Sequence, residues 1–165
     1  MKAQGWFFAE AEIFAYRTPG LLFGQAAQDS CVAACCRMIL GDHGISIAES
    51  YLRDALHLDE GSYVSLLPAL LRGFGLATDY VYRNDLTLAE LTTATWQDAA
   101  VAFVKTPNSV GGHALVVDGI ADGLVKIRDP LPQGHGKAYS VTTEVFLKFW
   151  LRPKTNRGLA VIVLE

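Results

Sequence analysis

The cysteines are the first residues whose types and spacing point to chemistry. All three of the chain lie within six residues, as Cys31, Cys35 and Cys36 of the segment GQAAQDSCVAACC. Cys31 falls in the predicted first turn of a helix, where unpaired N–H groups and the positive dipole end favour the nucleophilic thiolate. The other two are more simply buried apolar residues. The C-x3-C-C spacing suits zinc poorly, and we expect no metal and no cofactor.

A general base for such a thiolate is available further along the chain. His113 begins the predicted strand HALVVDGI, and the next strand, VKIRDP, ends at Asp129. A turn at Asp122-Gly123 brings these two residues to the same open end of a hairpin. There the carboxylate can accept a hydrogen bond from one imidazole nitrogen while the other faces the sulfur. Asp118 is a rival orienting residue, but we expect it on the opposite face of the strand and farther away.

A glutamine completes the candidate site. Gln25 lies six residues before Cys31, in the loop that leads into the helix. Its side-chain amide and the backbone N–H of Cys31 could together form an oxyanion hole for a tetrahedral intermediate. From spacing alone, a solvated loop glutamine is an equally good interpretation. The candidate catalytic residues are therefore Cys31, His113, Asp129 and Gln25.

The elements that position these residues change from mainly helix to mainly strand along the chain. Helices are predicted over SCVAACCRMILGDHG, with Ser30 or Asp29 as N-cap and Gly41 and Gly44 as stops, and over SIAESYLRDAL, from a capping box of Ser46 and Glu49. Further helices are predicted over SYVSLLPALLRGFG, TLAELTTATW and TTEVFLKFWL, and strands over AAVAFVKT, HALVVDGI, LVKIRDP and GLAVIVLE. Helices followed by antiparallel strands predict an α+β fold.

Composition narrows the class of protein. The chain has 165 residues, a formal net charge of -3, 51% hydrophobic and 19% charged residues. We expect a single domain over residues 1–165 with a core of about 21–164, without nucleic-acid binding, a membrane span or a signal peptide. An odd, crowded set of cysteines fits a reducing compartment and predicts a cytoplasmic location. The aromatic group GWFF, Gly5 to Phe8, could be a docking strand or an N-terminal strand of the sheet.

The motifs taken together resemble a known family. The pattern Q-x5-C-x3-C, followed by GISIAESYLRDAL, LLPALLRGFGL, HALVVDGI and VKIRDP, resembles the C39-type peptidases. These are papain-like cysteine proteases best known as N-terminal domains of bacteriocin-processing transporters. The resemblance runs from about Leu21 to Leu164. It implies a papain-like α+β fold, in which N-terminal helices pack on a C-terminal antiparallel sheet.

The resemblance also implies a role for each candidate residue. By motif position, Cys31 would attack the peptide bond, His113 would act as general base, Asp129 would orient it and Gln25 would support the oxyanion. The processing members of the family cut after a double glycine at the end of a leader peptide.

The sequence departs from the family pattern at three positions. Ser30 stands before the cysteine where the family usually has Asp, Val32 stands after it in place of Gly, and Ala114 replaces an aromatic residue. The β-branched Val32 is expected to narrow the cleft or alter the oxyanion loop.

The resulting hypothesis is a cysteine protease that acts on a peptide or protein through an acyl-enzyme. Two settings stay open: maturation of a small peptide, and a secreted antibacterial toxin or effector, which would need an inhibitory immunity protein as partner. Two other functions are also compatible with the sequence. One is a non-catalytic, peptide-binding C39-like module, and the other is a papain-like deamidase or transglutaminase that uses the same triad.

Overall fold

The computed structural model describes residues 5–56, 64–106 and 111–164. The helices are α1 (Cys31–Asp42), α2 (Glu49–Ala55), α3 (Leu67–Gly73), α4 (Leu88–Ala94) and α5 (Thr143–Trp150), with a 3-10 turn at Val64–Leu66. The strands are β1 (Tyr80–Leu86), β2 (Ala100–Val104), β3 (His113–Ala121), β4 (Leu124–Asp129), β5 (Lys137–Thr142) and β6 (Gly158–Val163). The strands form one antiparallel sheet in the order β1-β6-β2-β3-β4-β5. The predicted α+β fold is confirmed.

The sheet separates two apolar cores because successive side chains of a strand face opposite sides. Along β3, Ala114 and Val116 join the core beneath α1 and α3. Leu115 and Val117 join the opposite core, which contains residues of α4 and α5. A strand buried on both faces reads as a continuous apolar run, as ALVV does here. The central strand is therefore held rigidly at the point where it begins.

Helix α1 packs on β3, and its first residue, Cys31, lies at the start of that strand. Most of its residues are buried, in keeping with its apolar sequence. Ser30 is the N-cap, as predicted, but its hydroxyl bonds to Ala27 and not to the helix. The N–H groups of the first turn are therefore left without a side-chain cap.

The hairpin of β3 and β4 forms as predicted. Asp122 and Gly123 have φ angles of 56° and 75°, the left-handed pair that a tight two-residue turn requires. The register shifts once, between the pairs Val117–Ile127 and Gly119–Lys126. Asp118 is the extra residue of this bulge.

The predicted capping box of Ser46 and Glu49 is wrong. Helix α2 begins only at Glu49, with Ala48 as its N-cap and no capping hydrogen bond. The carboxylate of Glu49 instead accepts the backbone N–H of Ala26 at 2.9 Å, in the loop before α1. This tertiary hydrogen bond forms in place of the capping bond because the buried Glu49 carboxylate lies beside the backbone N–H of Ala26, which needs an acceptor.

The two edge strands, β1 and β5, were not expected from the sequence. A bridge between Phe14 and Ser140 covers the outer edge of β5. The segment around Gly5 to Phe8 forms turns and no strand, and Phe8 is buried in the core of α5. Across the described ranges, no helix has the length and apolar character needed to cross a membrane.

Candidate active site

Three of the four candidate residues come together at one end of the sheet. Cys31 is the first residue of α1, His113 the first of β3 and Asp129 the last of β4. The backbone N–H of Ala114 donates to Cys31 Sγ at 3.5 Å, which ties the start of the helix to the start of the strand. The site is thus built where three element ends meet.

The side chains of these residues interact in sequence, from the thiol to the imidazole to the carboxylate. His113 Nε2 lies 2.7 Å from Asp129 Oδ1. His113 also interacts with the thiol of Cys31, for which Nδ1 is the remaining ring nitrogen. Asp129 is fully buried, whereas Cys31 and His113 each keep 7% of their surface exposed. The sulfur and the imidazole therefore retain limited contact with solvent, and the carboxylate has none.

Asp129 is held by more than the imidazole. Its Oδ1 also accepts the N–H of Leu131 at 2.9 Å, and its Oδ2 accepts the N–H of Phe7 at 2.8 Å and the hydroxyl of Tyr139 at 2.6 Å. Donors on both oxygens fix the orientation of the carboxylate. Asp129 is therefore fixed independently of His113, and its carboxylate sets the orientation of the imidazole.

The electrostatics of the pair favour separated charges. Burial raises the pKa of Cys31, but the hydrogen bond and charge of His113 and the N–H groups of Ala114 and Val32 outweigh burial and bring it below the ordinary 9.0. Burial lowers the pKa of His113, yet Asp129 and then Cys31 raise it from 6.5 to about 10. The two groups are coupled, so the proton belongs to the pair. When the pair holds a single proton, that proton is favoured on the imidazole, which leaves the sulfur as a thiolate.

The other two cysteines have a different environment. Cys35 and Cys36 are completely buried in the core beneath α1. Burial raises the pKa of Cys35 well above its usual range and that of Cys36 to about 12. Both remain neutral thiols, in keeping with their interpretation as small apolar residues.

Gln25 lies in the loop before α1, with its amide already engaged. Its Nε2 donates to Ala27 O at 2.8 Å and to Gln28 O at 3.0 Å. Its Oε1 is buried and has no partner among the residues that the structure describes. Both partners are backbone carbonyl oxygens, which only accept hydrogen bonds. The end of the Gln25 amide that contacts them is therefore its NH2 group. An oxyanion could receive a hydrogen bond from this amide only if one N–H were shared or released.

The loop that carries Gln25 is fastened to the segment after Asp129. The N–H of Gln25 donates to Pro130 O at 2.9 Å, and its carbonyl accepts the N–H of Gly134 at 2.9 Å. The two backbones approach so closely at Gly24 that a Cβ there would collide with the backbone of His135. The loop before the cysteine and the loop after the aspartate therefore form one unit.

The three departures from the family pattern have local explanations. Ser30 is buried, and its hydroxyl exchanges hydrogen bonds of 2.9 Å with the backbone of Ala27, which closes the turn before the cysteine. Val32 is fully buried in the core beneath the helix, so the expectation that its side chain narrows the cleft is wrong. Ala114 is also fully buried, and it is its backbone N–H that contacts the sulfur.

The rival carboxylate, Asp118, takes no part in this site. Its Oδ1 accepts from Arg128 Nε at 3.0 Å and its Oδ2 from Tyr16 Oη at 2.6 Å. The choice of Asp129 as the partner of His113 matches the contact that the structure contains.

Sequence reasoning missed two residues that contact the site. Phe7 stacks on His113, with ring centroids 5.5 Å apart and planes inclined by 6°. Tyr139 donates to Asp129 from the unpredicted strand β5. The aromatic run at the N-terminus was the only available signal for Phe7, and nothing in the sequence linked it to a histidine more than 100 residues away.

A cysteine at a helix N-terminus beside a histidine that is hydrogen-bonded to a buried carboxylate, on an α+β scaffold, is the arrangement typical of papain-like cysteine peptidases. The sequence profile of the peptidase C39 family matches residues 22–153, which is most of the chain. The protein belongs to the peptidase C39 family and is a cysteine peptidase. The resemblance drawn from the motifs is confirmed.

Solved structures with the same fold include three peptidases. The peptidase domain of Streptococcus ComA, a bifunctional ABC transporter of a quorum-sensing pathway, is 18% identical with a TM-score of 0.65, over 86% of this chain and 96% of that one. A C39-like peptidase from Bacillus anthracis is 16% identical with a TM-score of 0.64, over 90% and 98%. A double-glycine protease from an AMS/PCAT transporter, in complex with the leader peptide, is 14% identical with a TM-score of 0.62, over 92% and 96%. Among curated proteins, none matches the sequence significantly.

Proposed function

We propose that this peptidase hydrolyses peptide bonds with Cys31 as nucleophile, His113 as acid and base, and Asp129 as the residue that orients His113. The observation that carries the proposal is that one imidazole contacts both the thiol and a fully buried carboxylate. A histidine with a purely structural role does not need to contact both a thiol and a buried carboxylate. The arrangement supplies a nucleophile, a proton carrier and a fixed support in hydrogen-bonding sequence.

The chemistry follows from the charges of the pair. The thiolate attacks the carbonyl carbon of the substrate, and the carbonyl electron pair moves onto oxygen. As the tetrahedral intermediate collapses, the imidazolium gives its proton to the departing amine, and a thioester remains on Cys31. His113 then removes a proton from water, the hydroxide attacks the thioester, and the thiolate leaves as the acid is released.

The oxyanion formed in both steps needs donors near the sulfur. As the first residue of α1, Cys31 has an N–H without an intrahelical acceptor. We assign the second donor to Gln25, with one of its N–H bonds to Ala27 or Gln28 shared with the oxyanion.

The first substrate class to test is a leader peptide that ends in a double glycine. One structural neighbour is a double-glycine-motif protease in complex with the leader peptide. In this chain, Val32 packs inward, so the residue after the cysteine does not itself exclude such a substrate. Maturation of a small peptide is therefore the setting that we propose first.

The decisive experiment compares wild type with Cys31→Ala. Both are incubated with a synthetic peptide that ends its leader in Gly-Gly and with a matched peptide carrying Val-Val, and the products are identified by mass spectrometry. We expect scission after Gly-Gly by wild type only. Scission by Cys31→Ala would refute the nucleophile, and an uncut peptide whose glutamine is converted to glutamate or cross-linked to an amine would indicate the deamidase or transglutaminase function instead.

A second experiment distinguishes peptide maturation from a toxin role. New N-termini are identified in a bacterial lysate after incubation with wild type and with Cys31→Ala. Cuts confined to short leader-bearing peptides support maturation. A cut in one essential protein would favour the toxin setting and its immunity partner, and binding of both peptides without scission would favour the peptide-binding module.

A further inference from the structure

The N-terminal segment contains a residue that contacts two of the three proposed catalytic side chains. The backbone N–H of Phe7 donates to Asp129 Oδ2 at 2.8 Å. The ring of the same residue lies parallel to the imidazole of His113, 5.5 Å from it. One residue thus meets the carboxylate through its backbone and the imidazole through its side chain.

The ring of Phe7 is itself fixed by neighbours. Phe8 and Phe149 meet it edge-on, with centroids at 4.9 Å and 5.7 Å and planes inclined by 79° and 89°. The segment is anchored further along by two backbone hydrogen bonds of 2.9 Å between Phe14 and Ser140. The stacking partner of His113 therefore has a defined position.

This contact comes from outside the part of the chain that matches the family. The family profile begins at residue 22, and Phe7 precedes it by fifteen positions. We propose that Phe7 is a positioning residue, which holds the His113 ring in line between Cys31 and Asp129 and stabilises its protonated form through the face of the aromatic ring. The proposal rests on the proposed function, because it concerns the same thiol–imidazole pair.

The physical basis is twofold. A cation over an aromatic face within about 6 Å of the centroid is attracted by the ring quadrupole, and the attraction is larger where water is excluded. A parallel neighbour also limits rotation of the imidazole, so that its two nitrogens keep facing the sulfur and the carboxylate. Both effects favour the ion pair, and loss of the ring would return the proton to sulfur in part of the molecules.

The test measures the second-order rate at which iodoacetamide alkylates Cys31, from about pH 5 to about pH 9, because only the thiolate reacts. Wild type should react at the acidic end of the range. In Phe7→Ala the acidic rate should fall about tenfold relative to the rate at the alkaline end. On a cleaved peptide, the same variant should lower kcat with KM unchanged, since Phe7 acts through His113.

Two further variants separate stacking from packing. Phe7→Tyr keeps the aromatic face and should restore the wild-type profile, whereas Phe7→Leu fills similar space without that face and should resemble Phe7→Ala. If Leu restores the profile, the role is packing alone and the proposal is wrong. Phe14→Ala is the matched control in the same segment, because its bridge to Ser140 uses only the backbone, and it should behave as wild type.

Failure of this proposal is distinguishable from failure of the proposed function. A wild-type Cys31 that does not react at acidic pH would overturn the ion pair and both proposals with it. A reactive wild type whose profile is unchanged or enhanced in Phe7→Ala would overturn the role of Phe7 alone. Thermal unfolding of each variant shows that the rates refer to folded protein.

Discussion

Arg128 and Asp129 are adjacent on β4, both buried and both charged, yet they belong to two clusters of different kinds. Neighbouring residues of a strand point to opposite faces, so each side chain enters a different environment. Arg128 meets Asp118 and Asp42 near the end of α1, while Asp129 meets His113 at its beginning. The same helix thus has one ionic cluster near each end.

The cluster of Arg128 is saturated and permanently charged. Its guanidinium donates to Asp118 from Nε at 3.0 Å and Nη2 at 2.8 Å, and to Asp42 from Nη1 at 3.0 Å and Nη2 at 2.7 Å. The remaining N–H of Nη1 reaches Leu21 O at 2.8 Å. All five donors are used, and the guanidinium does not lose its proton near neutral pH. Such a cluster fixes the bulge of β3 to α1.

The cluster of Asp129 contains two titratable side chains, those of His113 and Cys31. The pKa of His113 is raised by Asp129 and then by Cys31, the pKa of Cys31 is lowered by His113, and both side chains retain some exposure to solvent. The comparison teaches that burial and charge alone do not identify a reactive site. The proposed active site differs from the Arg128 cluster in having a titratable pair that retains contact with solvent and is supported by a carboxylate held at both oxygens.

The largest expected effect contrasts the two aspartates of the hairpin. Asp129→Ala should lower kcat on the order of 10³–10⁴-fold, because His113 loses its orienting partner. Asp129→Asn, which keeps an acceptor of the same shape, should recover part of that loss. Asp118→Ala is the matched control and should leave kcat of the folded protein within about threefold. Peptide cleavage at saturating substrate measures all three, and equal losses at both positions would erase the distinction between the clusters.

The next effect is on stability. Arg128→Met should lower the free energy of unfolding by about 3–5 kcal/mol, since it leaves two carboxylates without a counter-charge. Urea denaturation measures it, with Lys126→Met on the same strand as control, expected within about 0.5 kcal/mol of wild type. In the folded fraction, the acidic alkylation of Cys31 should be unchanged. A shift in that alkylation would mean that the two clusters are coupled.

A smaller effect on rate concerns Gln25. Gln25→Ala should reduce kcat on the order of 10²-fold by removing an oxyanion donor. Alkylation of Cys31 generates no oxyanion, so its rate should not change. Gln28→Ala, an exposed side chain in the same loop, is the control. An unchanged kcat would leave Gln25 as a support for the loop through its bonds to Ala27 and Gln28.

The parts of the site that local sequence determines could be predicted. Helix α1 follows from its apolar run and Ser30, and the hairpin follows from Asp122-Gly123, which brings His113 and Asp129 to one end. Each depends on neighbours in the chain.

The parts that depend on distant contacts could not be predicted. The bonds of Phe7 and Tyr139 to Asp129 join the N-terminus and an edge strand to β4. Glu49 was read as a capping residue because local pattern cannot reveal the N–H of Ala26, 23 positions away. Strand β1 contains the exposed polar residues Asn84 and Asp85, and β5 buries Ser140 between Tyr139 and Val141, so neither strand shows a clean apolar alternation.

The smallest effect tests the shared proton directly, through the pH dependence of stability. His113 has a folded pKa of about 10 against 6.5 unfolded, so by itself it contributes stability that is lost as pH rises through that range. Cys31 has a folded pKa below its unfolded 9.0, so it contributes stability that is lost as pH falls. Where the two windows overlap, the folded pair binds one proton on nitrogen and the unfolded pair binds one on sulfur, and the contributions cancel.

The substitution Cys31→Ala removes the contribution of Cys31 to the pH dependence of stability and leaves that of His113. Between the lowered pKa of Cys31 and pH 9.0, wild-type stability should therefore change little through this pair. Over the same window the variant should lose up to about 1.4 kcal/mol per pH unit relative to wild type, because Asp129 still keeps the proton on His113. Cys36→Ala is the control and should follow the wild-type pH dependence, since burial keeps that thiol neutral here. Parallel curves for wild type and Cys31→Ala, measured by urea denaturation at a series of pH values, would show that no proton passes from sulfur to imidazole on folding.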